Sequence, residues 1–80
     1  MLKKTTGIVL GYTKYRETSI ISRIFTRELG LKSYIVNGVR SEKSTTKIAL
    51  FQSLTLLDLV VYDKENANIN RISEIKSDRS

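Results

Sequence analysis

Eighty residues are enough for one domain, and a chain of this size buries roughly 60% of its unfolded surface on folding. The absence of both Cys and His excludes a disulfide framework, a thiolate metal site and the usual neutral-pH general base. The formal charge of +6 is unevenly spread, with ten Lys/Arg against three Asp/Glu in residues 1–50 and four against five in residues 51–80; a one-sided positive field of this kind attracts polyanions. No apolar run reaches the roughly 20 residues that span a bilayer. The N-terminus lacks the apolar core and small-residue cleavage site of a signal peptide, so the expected location is the cytoplasm.

The first strand is predicted over Thr5–Tyr15, with Ile8, Leu10 and Tyr12 on one face and Val9, Thr13 and Tyr15 on the other. Gly7 and Gly11 interrupt it, the mark of a bulge or a tight bend at the corner of a small barrel. A polar connection leads to a second strand over Ser19–Thr26. Its adjacent apolar pairs Ile20/Ile21 and Ile24/Phe25 leave neither face purely polar. Arg27–Gly30 reads as a hairpin turn, with Gly30 available for positive φ. A third strand follows over Leu31–Val39, placing Tyr34 and Val36 on one face. Residues Arg40–Thr46 are polar and read as an exposed loop; Lys47–Ser53, with Ile48, Phe51 and Gln52 at i, i+3, i+4, reads as a short helical turn. Leu54–Tyr62 is the most apolar strand and is expected to be central and covered on both faces. After an Asp/Asn-rich turn over Asp63–Asn70 comes a last strand, Arg71–Lys76, and a polar tail over residues 77–80.

The pattern is thus all-β: a three-strand meander, a longer basic connection, then two more strands. Five strands with an irregular or helical link between the third and fourth match the five-stranded oligonucleotide/oligosaccharide-binding barrel, the OB-fold. An SH3-like barrel has the same strand count and is the structural alternative.

No residue pattern points to catalysis. Thr18 and Ser19 carry hydroxyls, but no His exists to activate them. Asp58, Asp63 and Glu65 form the one close acidic set, and they divide between a strand and its exit, which suits solvated charges better than a cation site. The glycines never cluster as in a phosphate-cradling loop. Neither an enzyme, nor a cofactor, nor a metal is expected.

Nucleic acid fits better. Arg40, Lys43 and Lys47 alternate with Ser41, Ser44, Thr45 and Thr46, so cations that neutralise phosphates lie among hydroxyls that donate to phosphate oxygens. Strands and tight turns add Lys14, Arg16, Arg23, Arg27 and Lys32. Such a set grips a backbone without reading bases. Among the aromatic residues, Tyr15 beside Arg16 is the best candidate for stacking on a base and Tyr34 the second, while Phe25 and Phe51 are assigned to the core.

Several stretches taken together resemble a known family. They are Gly7-Ile8-Val9-Leu10, Tyr15-Arg16-Glu17-Thr18-Ser19, Phe25 through Gly30, Asn37-Gly38-Val39-Arg40-Ser41-Glu42-Lys43-Ser44, and Leu50-Phe51-Gln52 with Leu56-Leu57-Asp58-Leu59. In order and spacing they are similar to the N-terminal domain of RecO, the bacterial recombination mediator, over about residues 3–76. The resemblance implies an OB-fold that binds single- and double-stranded DNA, anneals complementary strands, and helps load recombinase with RecR onto DNA coated by single-strand-binding protein. It implies DNA contact at Arg40 and Lys43, with Lys47 and Lys32 beside them, and an association with the nucleoid when DNA is bound. It also implies an OB domain over residues 1–76, with the tail 77–80 a truncation point ahead of a helical domain that would meet the single-strand-binding protein. Asn37, where the family often has Lys, and Glu42 within the loop reduce the local charge. Two other functions fit the same residues: a barrel that docks RecR or that helical domain through outward-facing apolar residues, for which Leu57 and Val61 are candidates, and an RNA-binding barrel.

Overall fold

A computed structural model describes residues 1–39, 48–64 and 66–77. Five strands run over β1 Leu2–Tyr15, β2 Ser19–Thr26, β3 Gly30–Val36, β4 Leu56–Tyr62 and β5 Ile69–Ser77. They close into a barrel of order β1-β2-β3-β5-β4. This is the five-stranded OB-type arrangement expected from the strand count.

Closure depends on β1, which serves two neighbours. Its first half pairs with β4 from Leu2↔Tyr62 to Ile8↔Leu56. Its second half pairs with β2 from Gly7↔Thr26 to Tyr15↔Ser19. At Gly7 both partners are present and the backbones are close: a Cβ built there would lie 2.5 Å from Ile24 Cγ2 and 3.2 Å from the Phe25 carbonyl oxygen. Only glycine fits without displacing a buried neighbour. Just beyond, the register slips between Val9 and Gly11, so Leu10 is the extra residue of a bulge; the bend expected from the glycines is there. β2 and β3 form a hairpin, and Gly30 has φ 76 at its turn. β5 completes the barrel antiparallel to β4, with a short parallel contact to β3 from Ser33↔Ile69 to Ile35↔Arg71.

The core is built by alternation. Ile20 and Ile24 of β2, Tyr34 and Val36 of β3, and Leu57, Leu59 and Val61 of β4 face inward with Val9, Val39 and Phe51. Phe51 is placed by a tight turn in which its amide donates to the Ile48 carbonyl at 3.0 Å. Ile48 and Leu50 pack against the same core.

Several sequence expectations need correction. β4 begins at Leu56, because Leu54 has φ 68 and cannot extend a strand. β3 ends at Val36, just before Asn37 and a turn at Gly38 (φ 74). β1 starts three residues earlier than its own sequence suggests, since β4 supplies a partner as far as Tyr62. β4 is covered on one face only: Leu57 and Val61, proposed as outward-facing, are fully buried, and their neighbours Leu56 and Tyr62 are exposed instead. No helix among the described residues is long and apolar enough to cross a membrane.

Candidate nucleic-acid interface

Cross-strand partners share a face of a sheet, and successive residues alternate between faces. On β2, Ser22, Ile24 and Thr26 are buried, which turns Arg23 and Phe25 to the outside. Arg23 lies opposite Gly11 of β1 and Ser33 of β3. One neighbour has no side chain and the other a short one, so the guanidinium stands clear of the sheet; it has no ion pair among the described residues. Phe25 lies opposite Ile8 on one side and Leu31 on the other, and Ile8 lies opposite Leu56. The four side chains form one straight row across β3, β2, β1 and β4 on the outer surface, at 52%, 56%, 40% and 43% exposure respectively. Leu10 and Leu54 extend the exposed apolar surface beside it, where the Leu54 amide donates to the Val9 carbonyl at 2.7 Å. Phe25, assigned to the core from its apolar neighbours, is therefore the most exposed aromatic ring of the described residues.

A second basic element sits at the β1–β2 turn. Arg16 adopts φ 58, and its guanidinium carbon lies 5.1 Å from the centroid of the Tyr15 ring, a cation–π contact. Tyr15 is half-buried beneath it. Lys14 is exposed and pairs with Ile20, which puts it on the opposite face of the β1–β2 ribbon from Arg23. The Ser19 hydroxyl donates to Asn37 Oδ1 at 2.9 Å, tying this turn to the end of β3. Asn37 thus has a local structural partner.

The remaining sequence candidates part company with these. Lys32 pairs with Ile24, which puts it on the opposite face of the β2–β3 hairpin from Arg23; its ammonium is 3.9 Å from Asp63 Oδ1, while Lys3 holds Asp63 Oδ2 at 3.0 Å. Asp63 is nearly buried between the two cations, so part of the charge of Lys32 is already compensated. Tyr34, the second stacking candidate, is fully buried in the core and unavailable to a base. Burial and the nearby Asp63 carboxylate push its phenol up to about 12. Asp58 lies on the outer face of β4, apart from Asp63, and Glu65 falls outside the described residues. No group of three or more His, Cys, Asp or Glu able to hold a metal occurs among the described residues. Arg40, Lys43 and Lys47, the centre of the predicted loop, also lie outside the described residues.

The structure therefore brings Arg23 and Phe25 together on one face and Tyr15 and Arg16 together at one turn. It sets Lys14 and Lys32, which pair with Ile20 and Ile24 of β2, on the opposite face from Arg23. Sequence reasoning missed Phe25. The signal was present in the alternation Ile24/Phe25/Thr26, but two adjacent apolar residues do not say which one faces in.

Along its whole length, residues 1–80, the chain matches the family described as Recombination protein O N terminal. It belongs to that family. The chain is 44% identical to a protein of Phocaeicola vulgatus and 43% identical to one of Bacteroides fragilis, over 77 residues and 96% of this chain in both cases. It is 45% identical to one of Chlorobium phaeobacteroides over 75 residues, 92% of this chain. All three relatives bear the name DNA repair protein RecO. The alignments cover 32%, 32% and 28% of those proteins, so the chain spans about a third of the length of the relatives it matches. The resemblance read from the sequence and the barrel read from the strands thus agree.

Proposed function

We propose that this chain is a DNA-binding module of a RecO-type recombination mediator acting in DNA repair. The observation that carries the reading is a barrel of order β1-β2-β3-β5-β4, matched end to end by the RecO N-terminal family, whose cationic excess falls in residues 1–50. In this reading Arg23, Arg16 and Lys14 meet phosphates from the strands, and Arg40, Lys43 and Lys47 from the connection between β3 and β4. Lys32 contributes less, because Asp63 already holds it. Contact is with the backbone and is blind to sequence, so single and double strands both bind. Annealing of complementary strands, cooperation with RecR in loading recombinase, and action on DNA coated by single-strand-binding protein belong to the longer protein in the cytoplasm. No step of chemistry is assigned to the module.

Fluorescence anisotropy with a labelled single-stranded oligonucleotide at several salt concentrations tests this. Neutralising about five phosphates gives a slope of about −3.5 in log K against log salt for a single strand. Affinity indifferent to salt would refute a phosphate-dominated mode.

A second reading, a barrel that docks RecR or another protein surface, is favoured by one observation: Leu10, Leu54 and Leu56 are exposed and contiguous with the row through Ile8, and Leu54 is 81% exposed. Its mark would be a protein complex lost on Leu54→Ser with DNA affinity unchanged.

A further inference from the structure

We infer that the outer face of β2 carries a stacking site for unpaired bases, with the Phe25 ring as its platform. The inference rests on the DNA-binding reading and deepens it by naming the strand state that this face recognises. Phe25 is 56% exposed at the middle of a straight apolar row, between Ile8 and Leu31. A soluble domain gains nothing by leaving an aromatic ring in water among three other exposed apolar side chains, and such a patch marks a binding surface. Charge decides the occupant. Arg23 precedes the ring by two residues on the same face, and exposed Arg27 follows it by two, just past the strand end. Neither arginine has an ion pair among the described residues. The nearest acid in sequence, Glu28, is engaged elsewhere: its carboxylate accepts the hydroxyl of buried Thr5.

An apolar ring with one cation before it on the strand and another just past the strand end is complementary to a base flanked by phosphates. A base pair inside a duplex offers no free π-face to such a ring, whereas an unpaired base does. The arginines hold a backbone of either kind, and Phe25 holds only bases that are not stacked in a helix. The face therefore favours single strands over duplex.

The test uses the 80-residue chain and three ligands of equal length: a single-stranded oligonucleotide, its duplex, and a strand whose central nucleotides are abasic. Phe25→Ala, Phe25→Leu and Phe25→Trp are compared with Arg23→Ala, each shown by circular dichroism to be folded. Phe25→Ala and Phe25→Leu are expected to weaken single-strand binding about tenfold, the loss of one stacked base. They leave the duplex and the abasic strand within twofold, and Phe25→Trp retains single-strand affinity. Arg23→Ala weakens all three ligands. If Phe25→Leu binds single strands like the wild type, the aromatic face is not used and the inference falls, while the loss on Arg23→Ala keeps the DNA-binding reading intact. The inference also falls if the Phe25 variants change self-association in sedimentation and not DNA affinity, which would make the row a protein contact. If the wild type binds none of the three ligands, both the reading and the inference are refuted.

Discussion

Replacing Gly7 by Ala tests the account of how the barrel closes. The added Cβ would sit 2.5 Å from Ile24 Cγ2, a branch fixed close to the backbone of a fully buried residue, and 3.2 Å from the Phe25 carbonyl oxygen. Neither neighbour is the free end of a flexible chain, so β1 and β2 must move apart at the point where β1 also pairs with Leu57 of β4. Forcing an extra carbon into a packed site costs about 1–3 kcal/mol. Against this, Ala restricts the unfolded chain and returns about 0.4–1 kcal/mol. The net destabilisation is therefore about 1–2 kcal/mol, a fall of roughly 5–15 °C in Tm for a domain of this size. Urea unfolding followed by far-ultraviolet circular dichroism measures it. In an Ile24→Ala background the steric partner is gone, and the cost of Gly7→Ala should shrink towards zero or reverse sign. A Gly7→Ala protein as stable as the wild type, or an equal cost in both backgrounds, would refute the close approach as the reason for glycine.

The two phenylalanines should behave oppositely. Phe51→Ala removes a fully buried ring from the centre of the core and should cost about 3–5 kcal/mol, whereas Phe25→Ala, on the outer row, should cost about 1 kcal/mol or less by the same denaturation assay. Tyr34 should make stability fall in alkali. Its phenol is pushed from 10.0 up to about 12 in the folded protein, so between these values the unfolded chain releases a proton that the native state keeps. Unfolding is favoured as pH rises through this window and unaffected by Tyr34 below it, with a total loss of about 2–3 kcal/mol. Tyr34→Phe should lack this component, and stability curves for the two proteins that stay parallel from pH 10 to 12 would contradict the assignment.

Local information in the sequence carried the architecture a long way. β2 is where its apolar run places it, and the bulge in β1 falls between the glycines that announce it. Five strands with an extended link after the third suffice for the barrel class, because strand length, turn residues and alternation are properties of short stretches. That Tyr34 and Val36 share a face could also be read, since Ser33, Ile35 and Asn37 alternate with them, but not that this face meets the core, where Tyr34 is buried and out of reach of a base.

Which face of an apolar strand meets the core is not a local property. Ile24/Phe25 and Leu56/Leu57 are adjacent apolar pairs, and only the register with β1 and β3 decides that Ile24 and Leu57 go in while Phe25 and Leu56 stay out. The start of β1 at Leu2 likewise depends on a partner sixty residues away, Tyr62. The same holds for charge: the sequence counts Lys32 and Arg23 alike as cations, but the fold brings Asp63 to one and leaves the other opposite a glycine. The sequence alone determined a basic, five-stranded barrel of the RecO type. The tertiary structure decided that the most exposed ring of the described residues is Phe25 and that Arg23 shares its face, because facing and pairing are settled only when distant strands meet.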